Sequence, residues 1–305
     1  MKVLITGGAG YIGTELVQLL NEVEEVEELI IYDNLSRGNR NLFIGNHKMD
    51  ANKVRFVNGD LLDSRKLRKS LAGVDVVVHL AAKVTTPFAD QNSHQFEQVN
   101  HWGTAELVYA IEESQVKRLI HLSSVSVYGT SDKAVDIDAG LNPRTFYGIS
   151  KMRAEEHVLR LAEKREVFNI RCGNVYGYNK SMRFDAVINR FMFEANYKGR
   201  ITVNGSGEQK RPFIHIRKAA EVLKALCNSD LEQGTYNLVE HNLAIGEVVE
   251  EIRKFYPELE MLFVDQQMKM RQLQAKPSEA LKSIIDKKAS SFHEELEHFR
   301  KSFTF

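Results

Sequence analysis

The segment TGGAGYIG (residues 6–13) comes directly after a short apolar run and opens a pattern typical of a helix. Its glycines, Gly7, Gly10 and Gly13, are spaced three apart. Glycine there permits a tight turn, a close approach of backbone N–H groups to a pyrophosphate, and close packing of helix on strand. Glycine-rich turns also have purely structural uses. Asp33 ends the next apolar run, where a carboxylate can accept hydrogen bonds from ribose hydroxyls, so a dinucleotide site is the favoured interpretation.

Short β-branched runs alternate with helical segments through the first 177 residues. The predicted strands are residues 2–6, 28–33, 54–60, 74–82, 117–124 and 168–177. Several of these runs are almost continuously apolar, which is typical of parallel strands covered on both faces. The alternation therefore predicts an α/β fold with a doubly wound parallel sheet.

The pattern changes after residue 177, where we predict a smaller, interleaved C-terminal region. Residues 1–177 are expected to form the dinucleotide-binding domain, with 217–238 returning to its sheet. Residues 178–216 and 239–305 are expected to form the substrate-binding region.

The C-terminal stretch SSFHEELEHFRKSF carries four large apolar residues at helical spacing. They are Phe292, Leu296, Phe299 and Phe303. Such a stripe is more typical of packing than of a cofactor site, so we predict a helix that docks on the rest of the protein.

The composition restricts the possible partners. Of 305 residues 43% are hydrophobic, which is enough for a sizeable core. Lys plus Arg and Asp plus Glu both number 41 without a basic stripe, so we expect a small-molecule partner, with no nucleic acid and no membrane. Cys172 and Cys227 lack metal-ligand spacing, and MKVLIT lacks a signal-peptide pattern. We therefore expect a cytoplasmic protein without a metal site.

The segment FYGISK (residues 146–151) places Tyr147 and Lys151 four positions apart, on one face of a predicted helix. A free tyrosine has a pKa of about 10, and a neighbouring ammonium favours its phenolate, so the pair can transfer a proton. By itself such a pair is more often surface or packing. Ser124 strengthens the catalytic interpretation, because it closes a predicted strand whose carboxyl end faces the cofactor crevice.

Seven motifs, in order, resemble the extended short-chain dehydrogenase/reductase family, especially its nucleotide-sugar epimerase and dehydratase branch. They are TGGAGYIG, YDNLSRG, GDLLD, HLAA, LSSVSVYG, YGISK and RPFIHI. The resemblance implies a Rossmann fold, a nucleotide-diphosphate sugar as substrate, and a homodimer formed by the helices that follow Trp102 and Tyr147. It also implies NAD, and the Asp33 carboxylate, which repels a 2′-phosphate, favours NAD over NADP despite Arg37 nearby.

The resemblance assigns roles to individual residues. Ser124 is expected to hydrogen-bond the reacting oxygen, Tyr147 to be the acid/base, and Lys151 to hold the nicotinamide ribose. The cofactor-binding residues are expected to be Gly7, Gly10, Tyr11, Ile12, Gly13, Asp33, Asn34, Asp60, Leu61, Ala81, Lys83, Asn100, Tyr147 and Lys151. The substrate-binding residues are expected to be Thr85, Thr86, Ser124, Asn174, Arg183 and Arg211.

Several of these residues also have a simpler interpretation. Asp60 and Asn100 are each placed to be a helix N-cap, Asn174 to be a loop asparagine and Arg211 to be a surface arginine. Three histidines are more often satisfied core residues than metal ligands: His79 and His121 on the predicted strands above, and His215 on a short apolar run, FIHI.

The two positions after Ser124 distinguish the branches of the family. Dehydratases of this family carry an Asp-Glu pair there, whereas this chain has Val125 and Ser126. We therefore expect an NAD-dependent nucleotide-sugar 4-epimerase. A 4-keto-sugar-nucleotide reductase using NAD(P)H is the main alternative, and an amino-acid dehydrogenase is less favoured. A non-catalytic NAD-binding regulator is the alternative of another class.

Overall fold

The structure is a computed structural model that describes residues 1–45, 49–84, 93–265, 270–288 and 290–305. The strands of these residues, in chain order, are β1 (Lys2–Thr6), β2 (Glu28–Asp33), β3 (Val54–Asn58), β4 (Val76–His79), β5 (Arg118–Ser124), β6 (Ala134–Val135), β7 (Glu166–Cys172), β8 (Asn174–Tyr176), β9 (Arg200–Asn204), β10 (Lys210–His215), β11 (Gly234–Leu238), β12 (His241–Ala244), β13 (Glu260–Val264) and β14 (Gln274–Ala275).

The helices are α1 (Tyr11–Asn21), α2 (Ser64–Ser70), α3 (Ser93–Phe96), α4 (Gly103–Glu112), α5 (Phe146–Leu161), α6 (Val187–Lys198), α7 (Ile216–Leu226), α8 (Ile245–Arg253), α9 (Glu279–Ile285) and α10 (Phe292–Lys301). A π-helical stretch, Glu97–Trp102, joins α3 to α4, and a short 3-10 turn, Val125–Tyr128, follows β5. None of the helices in the described part of the chain is both long enough and apolar enough to span a bilayer.

Seven parallel strands form the main sheet, in the spatial order β11-β7-β5-β4-β1-β2-β3. One apolar cluster joins one face of the sheet to α1 and α7, and a second joins the other face to α2, α4 and α5. The strand order reverses between β1 and β4, and in such sheets the crevice at the carboxyl ends binds the ligand. The predicted doubly wound α/β fold is confirmed.

The prediction of one strand over residues 168–177 was wrong, because two strands occupy this segment. β7 ends at Cys172 within the main sheet, and β8 then pairs with β10 in a three-stranded sheet. Gly173 lies between them, and a Cβ built there would lie 3.0 Å from the Pro212 carbonyl oxygen. The two strands are separated because β10 passes close to Gly173. This contact is tertiary, so the local sequence does not predict it.

The chain returns to the main sheet after β10. Helix α7 packs against α1, and β11 extends the sheet by pairing with β7. The helix predicted near the C-terminus is α10, in which Leu296 and Phe299 are buried in a third apolar cluster with α6 and α8. The docking helix is therefore confirmed, whereas the exact domain boundaries stay a prediction.

Candidate active site

The turn from β1 to α1 brings two glycines into tight backbone contact. Gly7 has a φ of 71°, and a Cβ built there would lie 2.6 Å from the Ala81 backbone nitrogen, just after β4. A Cβ on Gly13 would lie 2.5 Å from the Gly7 carbonyl oxygen. Any larger residue would displace backbone, so both positions need glycine. The ends of β1 and β4 therefore meet closely where the strand order reverses.

The first turn of α1 presents its backbone N–H groups at this crevice, and among the described residues no N-cap side chain bonds them. Its N-cap is Gly10, which has no side chain to occupy them. Amides of this kind bind phosphate, so the turn fits the pyrophosphate of a dinucleotide. The Tyr11 hydroxyl instead donates to the Gly177 carbonyl oxygen at 2.5 Å, and Ile12 packs on the core. These two residues can serve a cofactor through their backbone only.

Asp33 fastens the glycine turn to the end of β2. Its Oδ2 accepts a hydrogen bond from the Ala9 amide at 3.0 Å, and its Oδ1 accepts one from the Leu35 amide at 2.8 Å. Burial raises the pKa of Asp33, and these two bonds act in the opposite direction. Binding of the adenosine ribose by this carboxylate stays a prediction.

Asp60 lies beside Asp33 at the end of β3, and the alternative of an N-cap was wrong. The N-cap of α2 is Asp63, which accepts from the Lys66 amide at 3.0 Å. Asp60 instead accepts from the Asn34 amide group at 2.7 Å, while the neighbouring Leu61 is buried. Asn34 and Asp60 therefore form one polar surface at the predicted adenine end.

Asn100 connects the loop after β4 to the helix that carries Tyr147. Its Oδ1 accepts from the Lys83 amide at 2.7 Å, and its Nδ2 donates to the Lys83 carbonyl oxygen and to the Ser150 hydroxyl, both at 3.0 Å. Asn100 lies inside the π-helical stretch and is completely buried, so the N-cap alternative was wrong. It fixes the position of α5 relative to the cofactor crevice.

Ser124 lies near enough to Tyr147 that its hydroxyl, as a hydrogen-bond partner, lowers the pKa of the tyrosine. Ser124 ends β5, and Tyr147 lies in the first turn of α5, where the Thr145 side chain accepts from the Gly148 amide as N-cap. The Ser124 hydroxyl oxygen accepts from the Ser126 amide at 3.2 Å and the Ser126 hydroxyl at 3.0 Å. Both lone pairs of the Ser124 oxygen are thus used, which leaves its single O–H to donate.

We predicted that the Lys151 ammonium lowers the pKa of Tyr147, whereas in the structure other groups lower it. Burial raises the pKa of Tyr147, while the Ser124 hydrogen bond and the positive charge of Arg183 lower it. The Lys151 Nζ lies 3.3 Å from His121 Nε2, against β5. Burial lowers the pKa of Lys151 to about 8. Arg183 is therefore the cation that acts on the tyrosine here.

Sequence reasoning missed Glu155, the next residue on the same face of α5 after Tyr147 and Lys151. It is almost fully buried and forms an ion pair with Arg171 on β7, with Nη2 to Oε2 at 2.8 Å. The Ser123 hydroxyl donates to the same carboxylate at 2.5 Å. These contacts join α5 to two strands of the sheet, and the spacing 147, 151, 155 was the available signal.

The predicted substrate residues are only partly assembled. Arg183 pairs with Asp185 at 2.5 Å, and its positive charge lowers the pKa of Tyr147. Arg211 donates to the Arg271 carbonyl oxygen, and burial lowers its pKa to about 10. Asn174 donates to the Pro212 carbonyl oxygen at 2.9 Å. Two further candidates, Thr85 and Thr86, lie outside the described residues.

A glycine turn at the switch point of a doubly wound sheet, next to a Ser, Tyr and Lys set, defines a nicotinamide dinucleotide-dependent enzyme of the extended short-chain dehydrogenase/reductase type. The chain belongs to the NAD dependent epimerase/dehydratase family, whose model matches residues 3–238. Its cofactor is NAD, and the glycine turn, the free amides of α1 and Asp33 fit that dinucleotide.

Relatives in the family include epimerases and dehydratases. The chain is 31% identical over 244 residues to the dTDP-D-glucose 4,6-dehydratase of Homo sapiens, which covers 78% of this chain and 68% of that protein. It is 30% identical over 227 residues to a putative UDP-glucose 4-epimerase of Methanocaldococcus jannaschii, covering 72% and 71%. A UDP-N-acetylglucosamine 4-epimerase from Methanobrevibacter ruminantium M1, solved with UDP-N-acetylmuramic acid, superposes with a TM-score of 0.86 at 25% identity, covering 98% and 97%.

Proposed function

We propose that the chain is an NAD-dependent nucleotide-sugar 4-epimerase. The observation that carries this proposal is the pair Val125 and Ser126, which directly follows Ser124. Val125 is buried in an apolar cluster, and the Ser126 hydroxyl is used in holding Ser124. Neither can move a proton at a neighbouring sugar carbon, as the elimination of water requires. Reversible oxidation at one carbon is the chemistry that the remaining groups support.

The chain supplies position and proton transfer. Bound NAD would supply the hydride-transfer chemistry at the sugar C4, as acceptor in the oxidation and as donor to the opposite face of the keto sugar in the reduction. Tyr147 accepts the C4 hydroxyl proton during oxidation and gives it back during reduction, and Ser124 donates to the reacting oxygen. Because burial raises the pKa of Tyr147, its phenolate depends on the Ser124 hydrogen bond and on nearby positive charge.

The substrate side supports a diphosphate ligand. The charge of Arg183 lowers the pKa of Tyr147, and Arg211 lies in the smaller sheet. A guanidinium can bind phosphate through two N–H groups at once. We propose that both bind the diphosphate of the nucleotide sugar, with Asn174 beside them. Which nucleotide and which sugar are bound is determined by the experiment below.

The test is to purify the protein, check for NAD that remains bound through gel filtration, and follow UDP-, GDP- and dTDP-sugars by proton NMR without added cofactor. Interconversion of C4 epimers is the expected result. Turnover of 4-keto sugars only, with stoichiometric NAD(P)H, would show a reductase instead. A 4-keto-6-deoxy product would show a dehydratase, and NAD binding without any turnover would favour a regulator.

The variant Tyr147→Phe should retain the fold and lose roughly 10²- to 10⁴-fold in kcat, the usual contribution of a general acid/base. Steady-state kinetics on the substrate found above, with circular dichroism for the fold, measures this. The matched control is Tyr109→Phe on α4, which should stay within about twofold of wild type. Full activity of Tyr147→Phe would contradict the mechanism.

We also propose a cytoplasmic homodimer in which α4 and α5 form the interface. Trp102, just before α4, is 54% exposed, and Leu159 on α5 is 42% exposed. Light scattering after gel filtration should give the mass of two chains. A monomer at all concentrations would refute the dimer without affecting the epimerase proposal.

A further inference from the structure

A row of polar side chains crosses the main sheet below the cofactor crevice. Strand register places five residues side by side on β1, β4, β5, β7 and β11: Thr6, His79, His121, Asn169 and Thr235. The first four are 0–1% exposed. Register partners on parallel strands point to the same face of the sheet, so these side chains form one continuous row.

The hydrogen bonds of this row fix the tautomer of His121. Asn169 Nδ2 donates to the Thr235 hydroxyl at 3.4 Å, which directs Asn169 Oδ1 toward His121. That oxygen can only accept, so His121 Nδ1 carries the proton and donates over 2.9 Å. His121 Nε2 is therefore left with a lone pair, and it faces the Lys151 Nζ at 3.3 Å.

The Lys151 ammonium makes few other polar contacts. Its side chain is 2% exposed, and within the described part of the chain His121 is the sole hydrogen-bond partner of its Nζ. Glu155, one helical turn further on, is committed to Arg171 and Ser123. A neutral acceptor thus holds the ammonium without cancelling its charge, and two of its three N–H groups stay available.

We propose that His121 is a positioning residue that acts through Lys151, holding its ammonium where it contacts the bound dinucleotide. The expected effect on kcat rests on the proposed function, whereas the expected effect on NAD binding does not. A protonated His121 would lose the lone pair and place two cations together. Burial, and next the charge of Lys151, hold the pKa of His121 well below its usual range, so the imidazole stays neutral.

The first experiment compares His121→Phe, which removes the acceptor, with His121→Gln, whose side-chain oxygen can still accept from Lys151. In His121→Phe we expect kcat to fall about ten- to a hundredfold and the Kd of NAD to rise about tenfold, because a hydrogen bond to a charged group is lost. The KM of the sugar nucleotide should stay within about twofold, and His121→Gln should recover most of both losses. No loss in a folded His121→Phe, or no recovery in a folded His121→Gln, overturns the proposal.

The second experiment is a double-mutant cycle with Lys151→Met. If His121 acts through Lys151, adding His121→Phe to Lys151→Met changes neither kcat nor the Kd of NAD further, whereas an independent structural role gives additive losses and overturns the proposal. The control is His215→Phe, which removes an imidazole from the smaller sheet and should be additive with Lys151→Met. NAD binding by calorimetry needs no sugar, so the cycle decides on His121 even when the epimerase proposal fails.

Discussion

Two buried lysines of this protein have opposite surroundings. Lys151 in the catalytic helix is 2% exposed and faces a neutral imidazole, and burial lowers its pKa to about 8. Lys218 in α7 is 4% exposed, but it pairs with Glu240 and with Glu295, the latter at 2.8 Å. Burial acts to lower the pKa of Lys218 as well, but its two carboxylate partners outweigh this and raise it.

The difference separates a structural ion pair from a buried cation for which we propose a function. At Lys218 the charge is cancelled within the protein, and Glu295 in turn accepts from the Tyr176 hydroxyl, so the cluster fastens α10 to the smaller sheet. At Lys151 the nearest carboxylate, Glu155, is already paired with Arg171. The charge of Lys151 therefore remains able to bind a ligand. Removing this ammonium from water costs free energy, which lowers the stability of the folded protein.

The largest expected effect is on the structural side. Lys218→Met leaves the buried Glu295 and the half-buried Glu240 without their lysine, so the free energy of unfolding should fall by about 3–5 kcal/mol. Urea unfolding followed by circular dichroism measures it. The control is Lys224→Met in the same helix, whose ion pair with Glu221 is more exposed and should contribute less than about 1 kcal/mol. Equal losses in the two variants would contradict the comparison.

The second prediction concerns the pH dependence of Lys151. Its pKa is about 8 in the folded protein and about 10.4 when unfolded, so between these values the unfolded chain binds more protons. The free energy of unfolding should therefore rise with pH in this window, by up to about 2 kcal/mol from pH 7.5 to 9.5. Lys151→Met should lack this rise. Urea midpoints of the protein without added NAD test it, and equal pH slopes in both proteins would refute the lowered pKa.

The smallest expected effect is at Ser126. Ser126→Ala removes the hydroxyl that donates to the Ser124 oxygen at 3.0 Å. It leaves the hydrogen bond from the backbone N–H of residue 126 to the same oxygen, at 3.2 Å. Ser124 becomes less well oriented toward Tyr147, and we expect kcat to fall about fivefold, the value of one neutral hydrogen bond. Ser131→Ala, whose hydroxyl donates to the Lys133 carbonyl oxygen at an exposed turn, is the control. A loss as large as that of Tyr147→Phe would mean that Ser126 itself transfers a proton.

Local sequence was sufficient for most of the fold. The glycine spacing, the apolar runs and Asp33 predicted the turn and the strand ends, because each is a property of a few consecutive residues. The error over residues 168–177 arose where the break depends on β10, about forty positions away in the chain. Asp60 and Asn100 were ambiguous for the same reason, since an N-cap and a tertiary hydrogen bond look alike in sequence.

The sequence by itself determined the class of the protein. Three features carried it: the glycine turn, the helical spacing of Tyr147 and Lys151, and the absence of an acid pair after Ser124. These are relations between neighbours in the chain, which backbone geometry converts directly into structure. Only the tertiary structure decided what surrounds Lys151. His121 and Asn169 lie on different strands, and their contact exists because strand register, fixed by burial of the whole sheet, aligns them.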